Sequence, residues 1–181
     1  MPKLPAHVMA THVAMLSLGV ETRGGVFARI MPRNTFFPGK KSVMLTTSHD
    51  NQTQATITIL QGERRMAADN FLMGQLVLDI SPQPRGVPQI NVTFDVDNNC
   101  NCRVTAEERN SGISQSITFE DLDITTAGEL TSETIIQMLH DAETNAEADL
   151  LKQQIAESEQ SNDLPTAIQS LTTSHTMPAP V

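Results

Sequence analysis

Gln89–Glu107 reads QINVTFDVDNNCNCRVTAE, and this stretch decides the fold. Ile90, Val92, Phe94 and Val96 alternate with polar residues; Cys102, Val104 and Ala106 do the same after Asp97–Asn101. A period of two sends successive side chains to opposite faces of a strand, so each run has one apolar face to bury. The Asn98-Asn99 pair between them is a turn signal, and the whole reads as an antiparallel hairpin. Outward from it the same signature recurs in Ser17–Glu21, Gly25–Met31, Ser42–Thr47, Ala55–Leu60 and Gly74–Asp79 on one side and in Ser114–Phe119 on the other. Gly24-Gly25, Pro38-Gly39 and Pro82-Gln83-Pro84 separate several of these runs. About eight short strands with no helical crossover between them predict a mainly β fold, a compact antiparallel β-sandwich.

The pattern changes after residue 128. Residues 1–128 carry twelve acidic and eleven basic side chains, a net of −1, whereas 129–163 carry nine acidic residues against Lys152 alone, a net of −8. Ile135, Met138, Leu139, Ala142, Ala146, Leu150 and Leu151 recur at three- and four-residue steps, which predicts a short helical segment with one apolar stripe. Thr131 is the expected N-cap, and Glu133 sits in the first turn, where the helix dipole favours an anion. The chain therefore divides into a leading segment 1–15, a β-sandwich 16–128, a helical segment 129–159 and a disordered tail 160–181, rich in Ser, Thr and Pro.

Composition excludes several functions. There is no Trp, no Tyr and only six Phe, which leaves no stacking platform for single-stranded nucleic acid, and the net charge of −9 opposes phosphate backbones. No apolar run approaches the ~18 residues of a membrane span, and the N-terminus lacks the pattern of a signal or transit peptide. An intracellular compartment is expected. His7, His12, His49, His140 and His175 lie too far apart to suggest a metal or a catalytic base. Cys100 and Cys102 would point to opposite faces of a strand, so they read as a turn residue and one inward thiol. Nothing in the pattern looks catalytic.

The order of several short motifs resembles a known family. Ser17-Leu18-Gly19-Val20-Glu21-Thr22, Gly24-Gly25-Val26, Asp50-Asn51-Gln52, Gln61-Gly62-Glu63-Arg64, Ala68-Asp69-Asn70 and Gly74-Gln75 come in the order found in the peptide-binding domain of the 70-kDa heat-shock chaperone family. The most specific run is Pro84-Arg85-Gly86-Val87-Pro88-Gln89-Ile90 with Val92-Thr93-Phe94-Asp95; Asn110-Ser111-Gly112, Asp141-Ala142-Glu143 and Ala146-Glu147-Ala148-Asp149 follow. The stretch Gln61–Asn70 is most similar to bacterial and mitochondrial members. By this resemblance residues 1–15 correspond to an interdomain linker, with His12 where an Asp is expected, and 129–159 to the root of a truncated helical lid. The family's ATPase domain would precede residue 8, so the chain is expected to be no enzyme and to hold no cofactor, ATP being the nucleotide of the full-length family.

The resemblance also implies a binding site. An extended peptide would be gripped at one end of the sandwich, with a pocket lined by Val20, Thr22, Leu45, Ala55, Ile57, Ile59 and Ile90. Main-chain contacts would come from Glu21, Thr22, Leu45, Thr46 and Thr47. From the residues alone, Val20, Ile57, Ile59 and Ile90 read as ordinary sandwich core; the resemblance turns the reading to a pocket. Arg23 and Ser48 stand where the family has an apolar arch over the peptide; Arg23 either lays its stem across the peptide and favours acidic flanks or points to solvent. Asp50 and Arg85 match positions that latch the lid. Asn101 stands where the family has a core aliphatic, and a polar group buried without partners costs ~1–3 kcal/mol.

The resulting expectation is a chaperone module that binds short, extended, hydrophobic segments of unfolded polypeptides. The rival is a regulatory protein that docks to a full-length chaperone or co-chaperone, or self-associates. Neither nucleic acid nor membrane is an expected partner.

Overall fold

The structure is a computed structural model that describes residues 12–120 and 131–161. Ten strands and two helices occur among these residues. Strands β1 (His12–Val13) and β4 (Phe36–Phe37) form a small ribbon. Strands β2 (Leu18–Thr22), β3 (Val26–Met31), β6 (Gln54–Gln61) and β7 (Phe71–Asp79) form one sheet in the order β3-β2-β6-β7. Strands β5 (Gly39–Leu45), β8 (Ile90–Val96), β9 (Cys102–Glu108) and β10 (Ser114–Phe119) form the other, in the order β10-β9-β8-β5. All pairings are antiparallel.

The alternation seen in the sequence sets what each sheet buries. Val20, Ile59 and Leu78 from one sheet and Val92, Phe94 and Val104 from the other are fully buried in a single apolar cluster. The opening hairpin pairs Ile90↔Glu108 through Val96↔Cys102, as the two alternating runs predict. In its turn Cys100 takes the left-handed conformation (φ 60°). The Asp97 carboxylate accepts bonds from the backbone N–H of Asn99 (2.8 Å) and Asn101 (2.9 Å) and from the Asn101 side-chain amide (3.1 Å). Asn101 is therefore half-buried and satisfied, so the penalty expected for a buried, unpartnered amide does not arise.

Two other expectations change in detail. The strand expected over Ser42–Thr47 runs over Gly39–Leu45, because its ends are fixed by pairing with β8 from Gly39↔Val96 to Leu45↔Ile90. Thr46 and Thr47 turn aside to hold the loop before β8. The Thr46 hydroxyl donates to the Pro88 carbonyl (2.7 Å), and the Gly86 N–H donates to Thr47 oxygens (3.3 Å).

The helical segment is two helices, α1 (Ser132–Thr144) and α2 (Ala146–Ser161), separated at Asn145. Thr131 caps α1, its side chain accepting from the Thr134 N–H (3.2 Å). The break divides the expected apolar stripe. Ile135 is buried and Met138, Leu139 and Ala142 half-buried, but Ala146, Leu150 and Leu151 are exposed. The residues that α2 buries are instead Asp149 and Ala156. Gln160 and Ser161, expected in the tail, lie in α2; the rest of that tail, the leading residues 1–11 and residues 121–130 lie outside the described residues.

Candidate functional site

Strand β2 pairs with β6 only from Leu18↔Gln61 to Val20↔Ile59. Beyond that point the two diverge: Glu21 and Thr22 go on beside β3 alone, and Ala55–Thr58 beside β7 alone. In the facing sheet β5 is an edge strand, paired on one side only. A strand without a neighbour presents main-chain donors and acceptors. The gap between the diverging strands and this edge is a cavity of about 690 Å³ at one end of the sandwich.

Its lining comes from both sheets. Glu21 and Thr22 end β2, and Arg23–Gly25 form a 3₁₀ turn after it. Met44, Leu45 and Thr46 leave β5, while Ser48, His49 and Gln52 belong to the loop that follows. Ala55–Thr58 open β6, and Ile90 opens β8. Ala55, Ile57 and Ile90 are almost fully buried and form an apolar floor, whereas Glu21, Arg23 and His49 are exposed around the mouth. The Thr22 hydroxyl donates to the Val26 carbonyl (3.0 Å) and pins the turn. Ser48 and His49 share a hydrogen bond between Oγ and Nδ1 (2.9 Å). The Gln52 amide nitrogen donates to the Gln54 carbonyl (2.6 Å), and its buried Oε1 has no hydrogen-bond partner among the described residues.

Nine of the sequence-derived peptide-site residues border this cavity: Glu21, Thr22, Arg23, Leu45, Thr46, Ser48, Ala55, Ile57 and Ile90. Val20 and Ile59 do not. They oppose one another in the β2–β6 ladder and are wholly buried. Thr47 is also outside the lining, buried with its oxygens engaged by Gly86. Asp50 and Arg85 lie together, the Asp50 carboxylate accepting from the Arg85 backbone N–H (2.8 Å), so that contact joins two loops. Gly24, Gly25, Met44, His49, Gln52, Thr56 and Thr58 line the cavity without having been expected among the peptide-site residues. Thr56 and Thr58 fall on the polar phase of an alternating strand, and a loop Gln or His carries no periodic signal at all.

Helix α2 packs against the Arg23–Gly25 turn at this end, although none of its described residues lines the cavity. Asp149 is buried and receives both Arg64 Nε (2.6 Å) and Arg64 Nη2 (2.9 Å). The Arg64 hydrogen bond, with help from its charge and the Arg65 N–H, holds the Asp149 carboxyl below the usual carboxylate range against the cost of burial. Arg65 Nη1 donates to Gln153 Oε1 (2.8 Å), and Gln160 Nε2 donates to the Arg23 carbonyl (2.6 Å). Gly24 makes this seat possible. Its φ is 81°, and an added Cβ would stand 2.3 Å from Gln160 Nε2 and 3.2 Å from Ala156 Cβ. Among the described residues no three His, Cys, Asp or Glu side chains gather as a metal site requires, and no helix is long and apolar enough to cross a membrane.

Comparison with known proteins bears on this geometry. A family described as "Hsp70 protein" matches residues 5–178. The chain is 51% identical over 147 residues to the "Heat shock 70 kDa protein, mitochondrial" of Trypanosoma cruzi, covering 80% of this chain and 22% of that protein. The chain thus spans about a fifth of the length of that curated relative. These matches overturn the expectation that the chain is no enzyme, since the matched family is one of ATPases. That expectation leaned on where the chain begins, which carries no weight for a stretch covering 22% of its relative. ATP is the family's nucleotide. Gly24-Gly25 lead into strand β3 and not into a helix, so this pair does not make a phosphate cradle.

Proposed function

Because the chain belongs to the 70-kDa heat-shock protein family, whose members are chaperones, we propose that its cavity holds short, extended, aliphatic segments of unfolded polypeptides. The observation that carries this reading is the apolar floor of Ala55, Ile57 and Ile90 lying between two main-chain edges, the end of β2 and the outer side of β5. An extended peptide needs that pairing: backbone groups to satisfy its own amides, and a greasy recess for one side chain. Residues 16–128 would serve as the binding unit, with 129–159 as the root of a lid and 1–15 as a linker.

Magnitudes favour a holding role. Burying a leucine side chain contributes ~1.5–3 kcal/mol, and each main-chain hydrogen bond a net ~0.5–1.5 kcal/mol. Association costs at least ~4 kcal/mol. A single side chain and a few hydrogen bonds therefore give micromolar or weaker affinity, with fast release. Partners would be unfolded chains and co-chaperones, in the mitochondrion or the cytoplasm.

The test is fluorescence anisotropy with a labelled, leucine-centred heptapeptide. Saturable binding by the 181-residue chain that is lost in Ala55→Phe, whose ring would fill the floor, supports the reading; equal signal from both proteins overturns it. One observation favours a second reading, a protein that docks to a full-length chaperone or to itself. Leu151 and Ile155, one turn apart on α2, are 61% and 58% exposed. That reading predicts self-association or chaperone capture in sedimentation experiments even when Ala55→Phe has blocked the cavity.

A further inference from the structure

We infer that the floor of the cavity is shaped for an aromatic ring: the central side chain it takes most tightly is phenylalanine, ahead of leucine, and Ala55 sets that choice. The inference rests on the peptide reading above and names the side chain that the floor prefers.

Strand β6 turns Ala55, Ile57 and Ile59 to the same inward side. Ile59 is sealed against Val20 where β2 and β6 still pair, so this side meets the cavity only at Ile57 and Ala55. Between those two residues, about 6.8 Å apart along the strand, the floor steps down from a four-carbon side chain to a single methyl. Leu78 opposes Ala55 in the β6–β7 ladder; it is wholly buried behind the floor and does not border the cavity. Ile90 borders the cavity from the other sheet and is almost fully buried. All six phenylalanines of the chain lie outside the lining, so no phenyl ring of the protein's own occupies the step.

The missing volume matches one kind of ligand. An isoleucine at position 55 would bring three more carbons than alanine does, and phenylalanine brings three more carbons than leucine. The space that Ala55 leaves is thus the space by which a ring exceeds an aliphatic side chain. At about 690 Å³ the cavity also has room for the backbone that carries the ring. Ala55, Ile57 and Ile90 offer the ring an apolar bed, and phenylalanine has no polar atom to leave unpaired on it. Each buried methylene tightens binding by about fourfold. Three ring carbons, with one edge of the ring left open to the groove, give about tenfold.

The experiment titrates two labelled heptapeptides that differ only at their centre, phenylalanine or leucine, with the 181-residue chain and reads anisotropy. The phenylalanine peptide should bind about tenfold more tightly. Ala55→Ile fills the step with a residue suited to a strand, and the ratio of the two affinities should fall to one or below. Ala55→Val, which fills less of it, should give an intermediate ratio and keeps the test intact if the larger residue does not fold. Equal or tighter binding of the leucine peptide by the wild type, saturable and abolished by Ala55→Phe, overturns this inference and leaves the peptide reading standing. An undiminished phenylalanine preference in the folded variants overturns it as well, because the floor is then not its source. Failure of both peptides to bind the wild type saturably overturns both readings.

Discussion

Replacing Asp149 with alanine should unseat helix α2 and leave the two sheets folded. The reason is the small apolar area with which α2 meets the sheets. Among its described residues only Asp149 and Ala156 are buried. Burying the Ala156 methyl is worth about 0.8 kcal/mol, and the Gln153–Arg65 and Gln160–Arg23 hydrogen bonds add ~0.5–1.5 kcal/mol each. Removing one partner of a buried, doubly hydrogen-bonded ion pair costs ~3–5 kcal/mol, because the other charge is left uncompensated. Arg64 keeps Asp69 at 3.4 Å, so the lower end of that range applies, about 3 kcal/mol. At ~1.4 kcal/mol per factor of ten, the ratio of seated to unseated helix falls by more than about a hundredfold, enough to cancel the remaining contacts. Alanine is the best helix former, so lost helix propensity is not a rival cause.

Hydrogen–deuterium exchange read by mass spectrometry separates the two regions. Peptides covering α2 should exchange faster in Asp149→Ala, with Asp149→Asn intermediate, while those covering β6 and β9 keep their wild-type protection. Undiminished protection of α2 would refute the reasoning. So would loss of protection in β6 and β9 together with α2, which would make the pair a support of the whole fold.

Acid should reproduce this effect without mutation. The folded Asp149 carboxyl is held below its usual range, so its contribution is complete above the unfolded carboxylate value of ~3.9 and lost as pH falls through the folded value. Glu108, lowered by hydrogen bonds from Ser111 and Asn110 against its own desolvation, loses its contribution in the same direction. Exchange of α2 should therefore be flat from pH 7 to about pH 4, corrected for intrinsic rates, and rise only below it; a rise near neutrality contradicts the assignment. A third prediction concerns the thiols. Burial, with a smaller effect from Asp95, pushes Cys102 up to about 12, and Cys100 is buried beside it in the turn. Iodoacetamide at pH 8 should leave both unmodified in the native protein and alkylate both in urea, so stoichiometric native labelling would refute the packing of this hairpin.

The sequence by itself carried the fold because strand alternation is a local property. All eight runs of Val, Ile, Thr and Phe became strands, and the hairpin at Gln89–Glu107 paired in the register its pattern demands. Thr131 capped α1 for the same reason, since a cap is made by residues three apart. Tertiary structure decided the rest. Alternation gives Val20, Ile57 and Ile59 the same inward phase, yet only Ile57 meets the cavity, because the β2–β6 ladder stops at Val20↔Ile59. Where two strands part depends on contacts between residues about forty apart in the chain, which no local period encodes. The same holds for Asp149: as one of nine acids in an acidic stretch it looks like a solvated charge, and only the loop carrying Arg64, eighty-five residues away, makes it the buried anchor of α2.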